Sequence, residues 1–323
     1  MGVSKVTLSG FLLVLVAMMF SGGYGQPLVP ALNIFGDSVV DVGNNNNRLS
    51  LVKANFPPYG RDWVAQTPTG RFCNGKLATD FTAENLGFTS YPPAYLSNQA
   101  KGENLLTGAN FASAACGYYD TTSRLYNAIS LPQQLDHYKE YQATLTSIAG
   151  PENASSITAG AIHLLSAGSS DFVQNYYINP FLFERYTADQ FSDVIMQSFS
   201  AFIQGRNQCL PKLNGDAVSF NEKLNLTAQS LQSNLEGSVI VVFDIYQPLL
   251  DLIMKPSDNG FGETRRACCG TGTIETSLLC NSRSLGTCTN ASGYIFWDGF
   301  HPSEAANKVL ADALLLQGIP LIS

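Results

Sequence analysis

The chain has 323 residues, 45% hydrophobic and 13% charged, enough apolar side chains for one large core. Its formal net charge is −7, with no clustered run of Lys and Arg. Nucleic acid is therefore excluded as a partner, because a phosphate backbone is held by grouped cations.

In chain order, Lys5 and the apolar run 8–20, followed by Gly23, Gly25 and Pro27, read as a secretory signal peptide over residues 1–25. The run is too short for a transmembrane anchor, which needs about 20 apolar residues. The remaining 26–323 are expected to form one secreted, extracellular domain. Secretion gives meaning to three Asn-x-Ser/Thr sequons, at Asn153, Asn225 and Asn290, each a glycan acceptor in that route. It also makes disulfide candidates of the seven cysteines, and an odd number leaves at least one unpaired. No CxxC or Cys/His spacing suggests zinc.

The apolar run 31–35, stopped by Gly36, predicts a buried strand. Residues 42–104 read mostly as loop with a helical piece over 79–86, and a second possible strand leads into Asn110 and Phe111. Helical periodicity follows over 131–148, then an apolar strand over 161–166 ending near Gly168. Helices are predicted at 189–204 and 214–235, and 239–243, five apolar residues after Gly237, reads as the clearest strand of all. A last helix spans about 303–316, with Val309, Leu310, Ala313 and Leu314 on one apolar face. Apolar strands alternating with helices predict an α/β fold with a mostly parallel sheet covered on both faces.

Strand ends are where such folds place their chemistry. Gly36-Asp37-Ser38 follows the first strand, Gly168-Ser169-Ser170-Asp171 follows a later one, and Asp298-Gly299-Phe300-His301-Pro302 precedes the last helix. Of the three histidines, His137 lies in a polar helix and His163 inside an apolar strand, where a core role is expected. His301 precedes Pro302, a favoured first-turn residue, and so stands where a helix begins. That helix end disfavours an imidazolium, and Asp298 offsets it by accepting the ring N–H and fixing the tautomer. A strand-end serine with a strand-end Asp-x-x-His describes nucleophile, base and orienting carboxylate. Gly-x-Ser-x-Gly and His-Glu-x-x-His are absent, which disfavours the ordinary α/β-hydrolase and the zinc hydrolase.

The blocks FGDSVVDVGNNN, PPYGRDW, TGRFCNGK, GANFASAACG, SAGSSDFVQNYY, RRACCGTG and YIFWDGFHPSE, in this order, resemble those of the plant GDSL esterase/lipases of the SGNH hydrolase superfamily. The resemblance implies a three-layer α/β/α sandwich of flavodoxin-like type and an acyl-serine mechanism on lipid or other acyl esters, with no metal or organic cofactor. It makes Ser38 the nucleophile, His301 the base and Asp298 its partner, with Ala114 and Ser170 at the oxyanion hole, where the family has Gly and Asn. It also implies a missing strand between Gln204 and Gly205, with Cys209 left without a partner. Two other functions remain open beside the esterase: a catalytically impaired secreted glycoprotein, and an acyltransferase using the same three residues.

Overall fold

The computed structural model describes residues 26–204, 213–235 and 237–322. The expected signal peptide, the junction after Gln204 and Cys209 lie outside the described residues. The elements run β1 (Leu32–Gly36), α1 (Ala78–Asn85), α2 (Asp120–Leu125), α3 (Leu131–Ala149), α4 (Pro151–Gly160), β2 (Ile162–Ser166), α5 (Ser169–Val173), α6 (Pro180–Arg185), α7 (Ala188–Gln204), α8 (Leu213–Asn234), α9 (Tyr246–Met254) and α10 (Glu304–Gln317). This is a helix-rich α/β architecture around a small parallel sheet. Among the described residues, no helix is long and apolar enough to cross a membrane.

β1 is buried along its whole length, and its alternating side chains feed two cores. Leu32 and Ile34 pack with Ala83 of α1 and with Leu86, which caps its C-terminal end. Phe35 points the other way, towards Tyr141 and Leu145 of α3. β2 lies parallel to β1 with Leu32 opposite Ile162 and Gly36 opposite Ser166. On the other side of β1, Ile34 donates to Ala109 O and Phe111 donates to Ile34 O, so the possible strand near Asn110 is a short parallel bridge.

Three expectations need correction. Residues 239–243 form no strand. The Ile240 N–H donates to Gln232 Oε1 at 2.7 Å, and its side chain packs against the helical core beside Phe220 and Leu224 instead of a sheet. A strand needs a neighbour to satisfy its backbone, and among the described residues this segment has none. His163 is not a core residue: β2 is paired on one side only, and its side chain is exposed, bonded to the Tyr138 hydroxyl at 2.6 Å. The buried face of α10 is Ala306, Asn307, Leu310 and Ala311, rotated from the apolar stripe of the sequence. Asn307 is satisfied on that face, its amide donating to Lys76 O at 3.1 Å just before α1.

Candidate active site

The segment after β1 carries Ser38. Gly36 enables that turn, with φ +135°, and a Cβ there would sit 1.9 Å from Ser166 O. The Gln134 side chain clamps the same residue, accepting from Gly36 N at 2.9 Å and donating to Gly36 O at 3.0 Å. Asp37 accepts from Val39 N and from the Ser169 hydroxyl at 2.8 Å, tying the ends of β1 and β2 together. The following asparagines stitch this turn to residues 110–114. Asn44 Nδ2 donates to Asn110 O and Ala112 O, and Asn45 Nδ2 donates to Ala114 O.

The histidine comes from the other end of the chain. Ser303 caps α10, accepting from Ala306 N, so the helix starts at Glu304 and Pro302 precedes its first turn. The loop before it is held tightly: Trp297 N donates to His301 O at 2.8 Å, and Cys268 and Cys269 donate to the carbonyls of Phe296 and Trp297. Disulfides Cys268–Cys288 and Cys269–Cys280 brace those two donors from behind. Cys73 and Cys116 are buried free thiols.

These two loops meet. His301 Nε2 lies 2.7 Å from Ser38 Oγ, and His301 Nδ1 lies 2.9 Å from both oxygens of Asp298. Asp298 accepts only, so Nδ1 carries the proton and Nε2 faces the serine as acceptor. Asp298 is fully buried and also accepts from the backbone N–H of Phe300 and His301 and from the Tyr59 hydroxyl at 2.6 Å. Ser38 and His301 are themselves 1% and 2% exposed. In so dry a setting each bond between them is stronger than in water. Tyr59 escapes sequence reading, because PPYG has the composition of a turn and nothing local links it to Asp298.

The backbone at the expected oxyanion positions is arranged around Asp41. Ala114 N–H is already taken, donating to Asp41 Oδ2 at 2.9 Å. Its neighbour Ala115 is fully buried with φ +65°, and among the described residues its N–H has no acceptor. The Ser38 N–H is likewise without one. Ser170 is fully buried, and among the described residues its hydroxyl has no hydrogen-bond partner. Three donors, on the turn after β1, at Ala115 and in α5, are thus left without an acceptor among the described residues, a rare condition for buried polar groups.

Asp171 lies beneath this region, accepting from Tyr118 N, Tyr119 N and the Thr122 hydroxyl. Burial pushes its carboxyl up to about 7, against those hydrogen bonds, and pushes Asp41 up to about 6. The sequons Asn153, Asn225 and Asn290 are all exposed, the first two on α4 and α8 and the third in an irregular segment. Among the described residues no cluster of His, Cys, Asp or Glu could hold a metal ion.

Residues 32–314 match the family model of the GDSL-like lipases and acylhydrolases. The chain is 61% identical to the GDSL esterase/lipase At5g22810 of Arabidopsis thaliana, over 92% of this chain and 91% of the relative. It is 58% identical to GDSL esterase/lipase At5g03810 over 98% and 99%, and 54% identical to GDSL esterase/lipase APG over 91% and 92%, both from the same plant. The At5g03810 alignment has 349 positions. It includes 98% of 323 residues, about 317, so about 32 positions have no counterpart here. The chain belongs to the GDSL-like lipase/acylhydrolase family.

Proposed function

We propose that this protein is a secreted serine carboxylester hydrolase that works through an acyl-serine intermediate on Ser38, with a lipid or other acyl ester as substrate. The observation that carries the reading is the 2.7 Å contact between Ser38 Oγ and His301 Nε2, with Asp298 behind the ring. Membership of an esterase/lipase family supports the class of reaction. The serine proton passes to Nε2 as Oγ adds to the ester carbonyl. The tetrahedral adduct then collapses, and the Nε2 proton leaves with the alcohol. Water, deprotonated by the same nitrogen, releases the carboxylic acid and restores the serine. Asp298 keeps the ring in the one tautomer that allows this and stabilises the imidazolium.

The negative oxygen of the adduct needs donors aimed at it. The unspent N–H groups of Ser38 and Ala115 and the Ser170 hydroxyl are our candidates, in place of Ala114. Because Ser38 is so fully covered, a substrate reaches it only by displacing neighbouring side chains.

The fold we assign is the three-layer, flavodoxin-like sandwich of the SGNH hydrolases with one strand removed after residue 204. About 32 missing positions and the single partner of β2 support that reading. Glycans on Asn153, Asn225 and Asn290 and removal of residues 1–25 belong to the same secreted form.

A fluorophosphonate probe tests the proposal. We expect the folded protein to be labelled and Ser38→Ala to be blank. Equal labelling of both, or labelling of neither, refutes a hydrolytic Ser38.

A further inference from the structure

Tyr59 lies 239 residues from Asp298 in sequence, yet its hydroxyl donates to Asp298 Oδ2 at 2.6 Å. The phenol is 1% exposed, and its ring meets Phe56, Phe72 and Trp297 edge-on at centroid distances of 5.8, 5.7 and 6.2 Å. Burial and the adjacent carboxylate hold its pKa well above that of an ordinary tyrosine, so it remains a donor throughout the working range. The Tyr59 oxygen in turn accepts the Ser277 N–H at 2.8 Å. Ser277 is pinned too: its hydroxyl accepts from Lys53 N at 3.0 Å and lies 2.9 Å from Lys53 O, and the Cys269–Cys280 disulfide closes the surrounding loop.

The donors around Asp298 divide between its oxygens. Phe300 N and His301 N hold Oδ1, and Tyr59 holds Oδ2, while the imidazole is equidistant from both. Without the phenol, Oδ2 keeps only the imidazole, and the carboxylate is fixed on one side alone. Rotation of the carboxylate would carry the imidazole with it, and errors well under 1 Å between reacting groups are costly.

We propose that Tyr59 is a positioning residue: its hydroxyl, set by Ser277 and the disulfide-closed loop, fixes Asp298 and through it the aim of His301 at Ser38. The proposal rests on the hydrolase reading given above.

The test is Tyr59→Phe, which keeps the ring packing, assayed on p-nitrophenyl esters in wild-type and Asp298→Asn backgrounds. We expect kcat to fall about 10-fold with KM within 2-fold in the wild type, and to fall less than 2-fold in Asp298→Asn, since the hydroxyl acts through that carboxylate. The same loss in both backgrounds, or none in the wild type, overturns the positioning role. Activity that survives Ser38→Ala removes the hydrolase reading instead, and this proposal with it. A readout that needs no turnover is the low-field proton resonance of the His301 ring N–H. It should shift in Tyr59→Phe, and an unchanged resonance in folded protein counts against the proposal.

Discussion

Asp41 Oδ2 accepts the N–H of Ala114 at 2.9 Å, and this one bond occupies the amide that the sequence placed at the oxyanion hole. With Ala114 turned inward, Ala115 is left in a left-handed conformation with its own N–H unspent. Asp41 also holds the N–H groups of Gly43 and Asn44, so it shapes the turn after Ser38 and the segment opposite it together. Asp41→Asn should therefore lower kcat and melting temperature together. A variant with unchanged kcat would show that the Ala114 contact does not shape the site.

The Ser170 hydroxyl has no hydrogen-bond partner among the described residues, so Ser170→Ala should cost the fold little. If the hydroxyl meets the oxyanion, turnover falls by about 10- to 100-fold, somewhat less than the loss of a well-aimed donor. Thermal melting and kcat measured on one preparation separate the two effects. A variant that melts early but keeps its kcat would place the hydroxyl in the fold and not in the reaction.

Asp171 predicts a particular pH dependence of stability. Its carboxyl is raised to about 7 in the folded protein, whereas in the unfolded chain it ionises near 4. Between these values the folded state keeps a proton that the unfolded chain has released, so stability falls as pH rises from about 4 to 7 and then levels. Asp41 acts in the same sense up to about 6. His137, whose pKa burial lowers, acts in the opposite sense. The diagnostic is thus the difference in melting temperature between wild type and Asp171→Asn, which should shift against the wild type between pH 5 and pH 7.5. A difference independent of pH would contradict an Asp171 that titrates in this window.

The open side of β2 is testable residue by residue. Ile162 N donates to Ala31 O and Asp37 N donates to Ser166 O, so the even-numbered residues of β2 face β1 and the amides of His163 and Leu165 face away. Hydrogen exchange should be slow at Leu164 and fast at His163 and Leu165. Protection at all three would mean that something pairs with this edge in solution.

The Cys269–Cys280 bridge closes a sequence separation of 11 residues beside Tyr59 and Ser277. Chain-entropy reasoning gives such a bridge about 3 kcal/mol. Cys269→Ser with Cys280→Ser should lower the melting temperature by several degrees and reduce kcat more than KM changes. Equal activity with and without the bridge would free the site from dependence on that loop.

Much of this was legible in the sequence, and the gaps have physical causes. β1, β2, α3 and α10 carry their own periodicity and stops, and Asp-x-x-His before a helix is a local pattern, so Ser38, Asp298 and His301 could be singled out. Tyr59 could not, because only tertiary packing brings it to Asp298. The choice between Ala114 and Ala115 turns on one backbone conformation and on a side chain more than 70 residues away. Residues 239–243 have strand composition, but a strand is a property of pairs. Its absence here follows from what lies beside it and not from its own residues.

The most direct measurement is mass spectrometry of the protein quenched in acid during turnover of a p-nitrophenyl ester. The account predicts an added acyl mass on the peptide containing Ser38, absent in Ser38→Ala and accumulating in step with the burst of nitrophenol. Steady ester hydrolysis with no acyl group on that peptide, or with one on another residue, would contradict it.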